Sequence, residues 1–107
     1  MNRIVERPTI HAGESLLLEF VVNKDGLSFP LEGITIQFKM AIYGDTSSIL
    51  TKETSKFTMQ NNKATLILLP ADTQNLHGVY EYIVTFTDSV GNVDKQKGQI
   101  EIIADIT

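Results

Sequence analysis

The stretch LHGVYEYIVTF, residues 76–86, decides the fold of this chain, because large apolar residues recur there at every second position. That period is typical of a β-strand with one buried face. The side chains expected to face the core are Tyr80, Tyr82, Val84 and Phe86. Glu81 belongs to the opposite face, which we therefore expect to be the more solvent-exposed one. A buried Glu81 beside a solvated Tyr82 would therefore mean the opposite register.

Two further segments alternate in the same way and are predicted to be central strands. The inward residues of SLLLEFVVN, residues 15–23, are Leu16, Leu18, Phe20 and Val22. Leu17 and Val21 give this segment a second, partly apolar face, which is typical of a strand inside a sheet. The inward residues of ITIQFKMAI, residues 34–42, are Ile34, Ile36, Phe38 and Met40.

The remaining strands are shorter or less regular. SILTKE (residues 48–53) and SKFTMQ (residues 55–60) are polar and poorly patterned, so we expect edge strands. QNNKATLILL, residues 60–69, has an Asn-Asn turn that closes a hairpin with the preceding segment. VDKQKGQIEIIA, residues 93–104, is predicted to pair with residues 79–88 in the last hairpin.

Two connections have distinctive turn chemistry. NKDG, residues 23–26, places Asp-Gly where a tight turn needs positive φ. PADTQNLHG, residues 70–78, is predicted to contain a single helical turn. In this turn we expect Asp72 to cap the amides that follow it and Gly78 to end the segment.

Seven or eight strands with turn signals every 8–12 residues predict an all-β fold, an antiparallel β-sandwich. The chain has 107 residues and no cysteine, so disulfides, thiolate zinc sites and cysteine nucleophiles are excluded. We expect one domain over residues 1–107, with residues 1–8 as an N-terminal arm. The predicted core residues are Phe20, Ile36, Phe38, Leu66, Tyr82, Val84 and Phe86.

Charge and hydropathy argue against two classes of partner. Nine Lys and Arg face thirteen Asp and Glu, a net charge of −4, and the basic residues are scattered, so no nucleic acid is expected. No apolar run approaches the roughly 20 residues of a membrane span. The start, MNRIVERPTIHAGES, does not resemble a signal peptide, so we expect a soluble chain made in the cytoplasm and no membrane partner.

The sequence offers little for catalysis. His11 and His77, its two histidines, lie far apart in the chain, and no Gly-x-Ser-x-Gly pattern occurs. Both are therefore interpreted as surface or corner residues. The scattered loop carboxylates form no recognisable glycosidase pair. We predict that the chain is not an enzyme and has no catalytic or cofactor-binding residues.

Several turn residues could in principle bind calcium. They are Asp88, Asn92 and Asp94 around the final hairpin, with Asp25 and Asp45 in other loops. The twelve-residue loop pattern with a distal Glu is absent, and Asp and Asn are the usual turn formers. The sequence therefore predicts no metal site.

Leu76, Gly78 and Tyr80 form the pattern Leu-x-Gly-x-Tyr, which resembles the start of strand F in immunoglobulin-like sandwiches. The resemblance implies a tyrosine corner, in which the Tyr80 hydroxyl bonds a backbone group between Pro70 and Leu76. Gly78 would permit the tight approach, and Leu76 would fill the space beneath the corner.

Tyr82 stands where antibody domains have a cysteine, two residues after the corner tyrosine. In that position it would pack opposite Leu18 or Phe20, so that apolar burial replaces the disulfide. The fold class implied is an immunoglobulin-like antiparallel β-sandwich of seven or eight strands.

The chain also resembles the immunoglobulin-like domain of tailed-phage structural proteins, such as the N-terminal domain of baseplate upper proteins and related fibre, appendage and head-decoration proteins. The matching segments are IHAGESLLLEFVV, DGLSFPLEGITIQFKM, LLPADTQNLHGVYEYIVTFTDSVGN and KGQIEI, within residues 9–103. Their order is that of the family. Many members continue past this domain, whereas this sequence ends at Thr107. Either the chain is a small complete protein, which would suit a head-decorating, head-fibre-anchoring or tail-adaptor role, or it is the N-terminal domain of a longer one.

The resemblance implies a non-enzymatic structural role in the virion, with baseplate, tail or head proteins as partners. It also implies a homo-oligomer or multiple copies in a symmetric particle. The alternative is a module of a tail fibre or capsid decoration that binds a host-surface glycan or protein. Of the aromatic residues, Tyr43 alone looks close to a loop, where a glycan-stacking ring belongs.

Four apolar residues occupy the outward positions of their predicted strands: Leu17, Val21, Ile83 and Ile103. Edge elements could bury them within the monomer. Alternatively they form an interaction face against a neighbouring subunit, since contiguous exposed apolar surface usually marks such a site.

Overall fold

A computed structural model describes residues 8–104, apart from the side chains of Asn92 and Val93. The predicted arm over residues 1–8 lies outside the described residues except for Pro8. The described residues form ten strands: β1 (Thr9–His11), β2 (Leu16–Val21), β3 (Asn23–Lys24), β4 (Leu27–Ser28), β5 (Thr35–Ile42), β6 (Ser48–Glu53), β7 (Phe57–Gln60), β8 (Lys63–Leu68), β9 (Gly78–Thr87) and β10 (Asn92–Ile103). A 3₁₀ turn (Thr54–Lys56) and the short helix α1 (Pro70–Thr73) complete them. The all-β prediction is confirmed.

The strands form a five-stranded sheet, β1-β10-β9-β5-β6, and a three-stranded sheet, β2-β8-β7, while β3 and β4 form a separate two-stranded ribbon. Neighbouring strands are antiparallel except β1, which runs parallel to β10 and departs from the all-antiparallel prediction. No hairpin joins β1 to β10, since the chain continues from β1 into β2 of the other sheet, so their pairing need not be antiparallel.

The prediction of central strands is confirmed for β5 and wrong for β2. β5 lies between β9 and β6, whereas β2 lies at an edge of the three-stranded sheet. The outward residues Leu17 and Val21 are exposed and do not mark a second buried face. The predicted edge strands β6 and β7 do lie at sheet edges, and β7 and β8 form the expected hairpin.

Both sheets contribute side chains to one hydrophobic core. Its fully buried members include Val22, Leu31, Ile36, Phe38, Met40, Ala64, Leu66, Leu68, Val84, Phe86 and Ile100. The predicted core is confirmed, with Phe20 buried and Tyr82 partly buried at the margin. Glu81 is exposed, so the register expected for β9 is also confirmed.

Aromatic contacts connect the two sheets through Tyr82. Its ring stacks on Phe38 of β5, with centroids 5.3 Å apart, and meets Phe20 of β2 edge-on at 5.9 Å. Phe20 in turn contacts Phe57 of β7 at 6.4 Å. Tyr82 therefore packs against Phe20 as predicted for a residue that replaces a disulfide cysteine.

Of the predictions for the two turns with distinctive chemistry, the one for the Asp-Gly turn is confirmed and the one for Asp72 is wrong. Asp25 and Gly26 adopt φ of 52° and 77°, as expected for the tight turn between β3 and β4. α1 forms over part of the predicted segment, but Asp72 does not cap the amides that follow it. Its Oδ2 accepts a hydrogen bond from the preceding Leu69 amide at 2.8 Å, because Asp72 is the third residue of the helix and its side chain points back to the helix start.

Gly98 provides the space that the Tyr82 ring needs. The two residues are cross-strand partners in β10 and β9. A Cβ added at Gly98 would lie less than 3.0 Å from atoms of the Tyr82 ring and from its hydroxyl. Glycine within a strand often marks such a close approach, so the aromatic side chain of β9 and the glycine of β10 depend on each other.

We expect Gly98→Ala to lower the free energy of unfolding by about 1–3 kcal/mol, because the new methyl group displaces the Tyr82 ring. Urea midpoints measure the change. Lys97→Ala, on the outward face of the same strand, is the control and should shift stability by no more than about 0.5 kcal/mol. The Gly98→Ala cost should shrink in a Tyr82→Leu background. Equal costs in both backgrounds would show that the ring does not occupy this space.

Candidate interaction surfaces

The predicted corner is present, with a different hydrogen-bond partner. The buried Tyr80 hydroxyl donates to the His77 carbonyl at 2.9 Å and accepts from the His77 amide at 3.0 Å. The expected range, Pro70 to Leu76, was therefore wrong by one residue. Gly78 adopts φ of 107°, so the chain bends immediately after His77 and brings that residue's own peptide groups to the hydroxyl.

The other two residues of the predicted corner are Gly78 and Leu76. A Cβ added at Gly78 would meet nothing within 4 Å, so glycine is needed there for its positive φ and not for a tight approach. Leu76 is partly buried against the core, as expected for the residue that fills the space beneath the corner.

Helix α1 ties the same connection to two other parts of the molecule. Thr73, a fully buried polar residue, donates through Oγ1 to the Glu14 carbonyl at 2.9 Å and accepts from the Gly13 amide at 3.0 Å. Asp72 pairs through Oδ1 with Lys52 of β6 at 3.0 Å, and both side chains are largely shielded from water. These bonds hold the β8–β9 connection to the β1–β2 turn and to the edge of the five-stranded sheet.

The two histidines come to one end of the five-stranded sheet. His11 is the partner of Ile103 in the parallel pair, and His77 precedes Gly78, the partner of Ile102. Both side chains are exposed. Within residues 8–104, no group of three or more His, Asp or Glu side chains is placed to hold a metal ion.

The acidic residues considered as calcium ligands make turn contacts. Asp88 Oδ1 accepts from the amides of Val90 and Gly91, and Asp45 Oδ1 accepts from the amide of Thr46. Asp94 accepts from Gln96 Nε2 at 3.0 Å, Asp25 lies in the β3–β4 turn, and the Asn92 side chain is outside the described atoms. The oxygens of Asp88 and Asp45 thus stabilise the turns in which they lie, whereas the Asp94 bond stays within β10.

The four residues of the predicted interaction face do not form one patch. Leu17 and Val21 lie on the outward face of the three-stranded sheet and are exposed. Ile83, which is half-buried, and Ile103, which is exposed, lie on the outward face of the five-stranded sheet. Whether either face binds another protein stays a prediction.

Sequence reasoning missed the apolar neighbours of Leu17. Ile67 is its cross-strand partner in β8, and Leu69 follows two residues later; both are exposed. The signal was present in the segment LILL, where Ile67 and Leu69 take the outward positions. Leu17 and Ile67 thus form an exposed apolar pair on the three-stranded sheet, and Leu69 follows just beyond the end of β8.

A shallow groove of about 290 Å³ lies on the outward face of the five-stranded sheet. Lys39 and Lys97 are the cross-strand partners of Ile83 on the two neighbouring strands. Glu81 lies two residues before Ile83 on the same face of β9 and also lines the groove. Side chains of both charges line it, so the groove provides hydrogen-bonding surface and no strong field of one sign.

Comparisons of the chain with protein-family models, with curated proteins and with solved structures found no match. Among the described residues, no helix is long and apolar enough to cross a bilayer.

Tyr80→Phe should lower the free energy of unfolding by about 1–3 kcal/mol, because the amide and carbonyl of His77 lose their partner at the corner. The urea midpoint reports the loss. Tyr82→Phe is the matched control, since its hydroxyl lies over Gly98, and it should cost less. A Tyr80→Phe midpoint equal to the wild-type value would remove the corner as a stabilising element.

Burial raises the pKa of the Tyr82 hydroxyl above its ordinary value of 10.0. The folded protein therefore holds this proton more tightly than the unfolded chain does. The resulting stabilisation is complete below about pH 10 and is lost as the pH rises through the folded-state pKa.

From about pH 9 to about pH 11.5, the range in which tyrosines ionise, the wild-type protein should lose more stability than Tyr82→Phe. Urea midpoints at several pH values, with both proteins in the same buffers, measure the difference. Parallel pH profiles for the two proteins would contradict a raised Tyr82 pKa.

Proposed function

We infer that the chain is an immunoglobulin-like β-sandwich that serves as a non-enzymatic adaptor or anchoring module of a phage virion. Its partners would be baseplate, tail or head proteins. The observation that carries this proposal is the strand order of the two sheets, combined with the tyrosine corner that closes the β8–β9 connection.

The strand order of the two larger sheets supports an immunoglobulin-like assignment. The three-stranded sheet β2-β8-β7 corresponds to strands B, E and D, and β10-β9-β5 corresponds to G, F and C. β6 then takes the place of the extra strand that variable-type domains add beside C. Tyr80 lies at the start of β9, the counterpart of strand F, where the corner tyrosine belongs.

A structural role fits the way this domain uses its polar groups. The loop carboxylates cap turns, Thr73 joins two connections, and the Tyr80 hydroxyl binds backbone. These side chains stiffen the frame, while apolar side chains remain exposed on both sheets. A rigid module with several modest contact surfaces suits a symmetric particle, in which many copies make weak contacts collectively strong.

The second candidate is a module that binds a host-surface glycan or protein. Tyr43 favours it, because this tyrosine is 59% exposed directly after β5, where its ring could stack on a sugar. This function would need few protein contacts within the particle.

The test is to purify phage particles from cells that produce this chain and to locate it in an electron-microscopy map. We expect the domain in a copy number that matches the particle symmetry, with extensive protein contacts. Free protein in the lysate and none in particles would overturn the adaptor role. A peripheral position, together with host adsorption that Tyr43→Ala abolishes, would favour the second candidate.

A further inference from the structure

Three connections meet at one end of the molecule, which we name the loop end. They are residues 22–34 between β2 and β5, residues 61–62 between β7 and β8, and residues 88–91 between β9 and β10. The first two are joined directly, since the Val22 amide donates to the Asn62 carbonyl at 3.0 Å and the Leu31 amide donates to the Asn61 carbonyl at 2.8 Å.

The third connection lies beside the first. Thr87, the last residue of β9, pairs with Thr35, the first residue of β5, so the 88–91 turn begins where residues 22–34 end. Gln96 of β10 also donates through Nε2 to the Val21 carbonyl at 2.9 Å.

The loop end carries the two most exposed large apolar side chains of the described residues. Val90 is 93% exposed and Leu27 is 72% exposed, whereas the next, Tyr43, is 59% exposed. Each projects from the tip of a separate hairpin. Single exposed apolar residues are ordinary on protein surfaces, but these two lie on connections that meet at the same end of the molecule.

Hydrogen bonds define the Val90 turn, and strand pairing defines the position of Leu27. The Val90 and Gly91 amides donate to Asp88 Oδ1 at 2.8 and 3.0 Å, and the Asp88 amide donates to the Gly91 carbonyl at 3.0 Å. Leu27 pairs with Lys24 across the tight turn. The Val90 turn is therefore preorganised, which lowers the entropy lost when a partner covers it.

A groove of about 420 Å³ also lies at the loop end, lined by Pro30, Glu32, Gly33, Met59 and Asn61. Met59 adds exposed apolar surface to its wall.

The charges at the loop end indicate which partner fits. Asp25 and Glu32 are exposed, and Asp88 is half-buried. Lys24 is the exposed base of the same hairpin, while Lys63 lies 4.0 Å from Glu19 in an ion pair. A second copy docked end to end would bring like charges together, which disfavours self-association here.

We propose that the loop end is the docking surface of this domain, and that its partner is a different protein with an apolar hollow rimmed by Arg or Lys. Leu27 and Val90 enter the hollow, and the basic rim faces Asp25, Glu32 and Asp88. The proposal rests on the proposed function in one respect, that the partner is a protein of the same particle.

The first test is photo-crosslinking in the cells that make the chain naturally. A benzophenone amino acid replaces Leu27 or Val90 in the full-length protein, and the matched controls carry it at Leu17 or Ile67, which are exposed apolar positions on the three-stranded sheet. We expect adducts from positions 27 and 90 to one protein, at peptides containing Arg or Lys. Adducts from positions 17 and 67 alone, or from none of the four, would overturn the proposal.

The second test measures binding to the crosslinked protein, purified. The double variant Leu27→Ser, Val90→Ser should bind at least about ten-fold more weakly, as expected for central apolar contacts. Leu17→Ser, Ile67→Ser should stay within about two-fold, because peripheral substitutions are near neutral. Thermal melts confirm that both variants fold. Equal losses in the two variants would refute the loop end as the docking surface.

Charge is tested separately with Asp25→Asn, Glu32→Gln, in which Asn retains tolerance of the positive φ at position 25. Wild-type affinity should fall as salt rises from about 50 to about 500 mM, and that dependence should be weaker in this variant. Identical salt dependence would refute the basic rim.

Failure of the two proposals can be distinguished. If the chain is in particles but crosslinks only through positions 17 and 67, the docking inference fails and the virion role stands. If it is absent from particles but crosslinks through positions 27 and 90 to a host protein of the stated chemistry, the virion role fails and the docking surface stands.

Discussion

The two sheets depend on the contacts that the Tyr82 ring makes. The ring lies over Gly98, stacks on Phe38 and meets Phe20 edge-on, so one side chain joins β9, β10 and β5 to β2. Two aromatic pairs contribute about 1–3 kcal/mol beyond the burial of their surface. That is similar to the lower part of the roughly 2–4 kcal/mol range for a disulfide, which this cysteine-free chain cannot form.

The β8–β9 connection is the second fixed part of the frame. Tyr80 closes its far end on His77, while Thr73 and Asp72 attach its near end to the β1–β2 turn and to β6. The chain crosses here from the three-stranded to the five-stranded sheet. Because these bonds are made by side chains to neighbouring backbone and to one lysine, the crossing is held without a long helix or a cross-link.

The alternation of apolar and polar residues predicted the strands well wherever one face of the strand is buried. β5, β8 and β9 have their inward residues where the period of two places them, because burial of one face selects the register. The edge position of β2 was not predictable in this way, since exposed Leu17 and Val21 have the same pattern as a second buried face. Sequence spacing also carries no information on which strand lies opposite Tyr82, so the role of Gly98 required the sheet register.

The corner hydrogen bonds involve only main-chain atoms of residue 77, because the Tyr80 hydroxyl meets its amide and carbonyl. The His77 side chain is exposed and has no part in that closure. Position 77 can therefore diversify during evolution while the fold persists. For the same reason it offers an anchoring point for a fluorophore or spin label that would report on the corner without disturbing it.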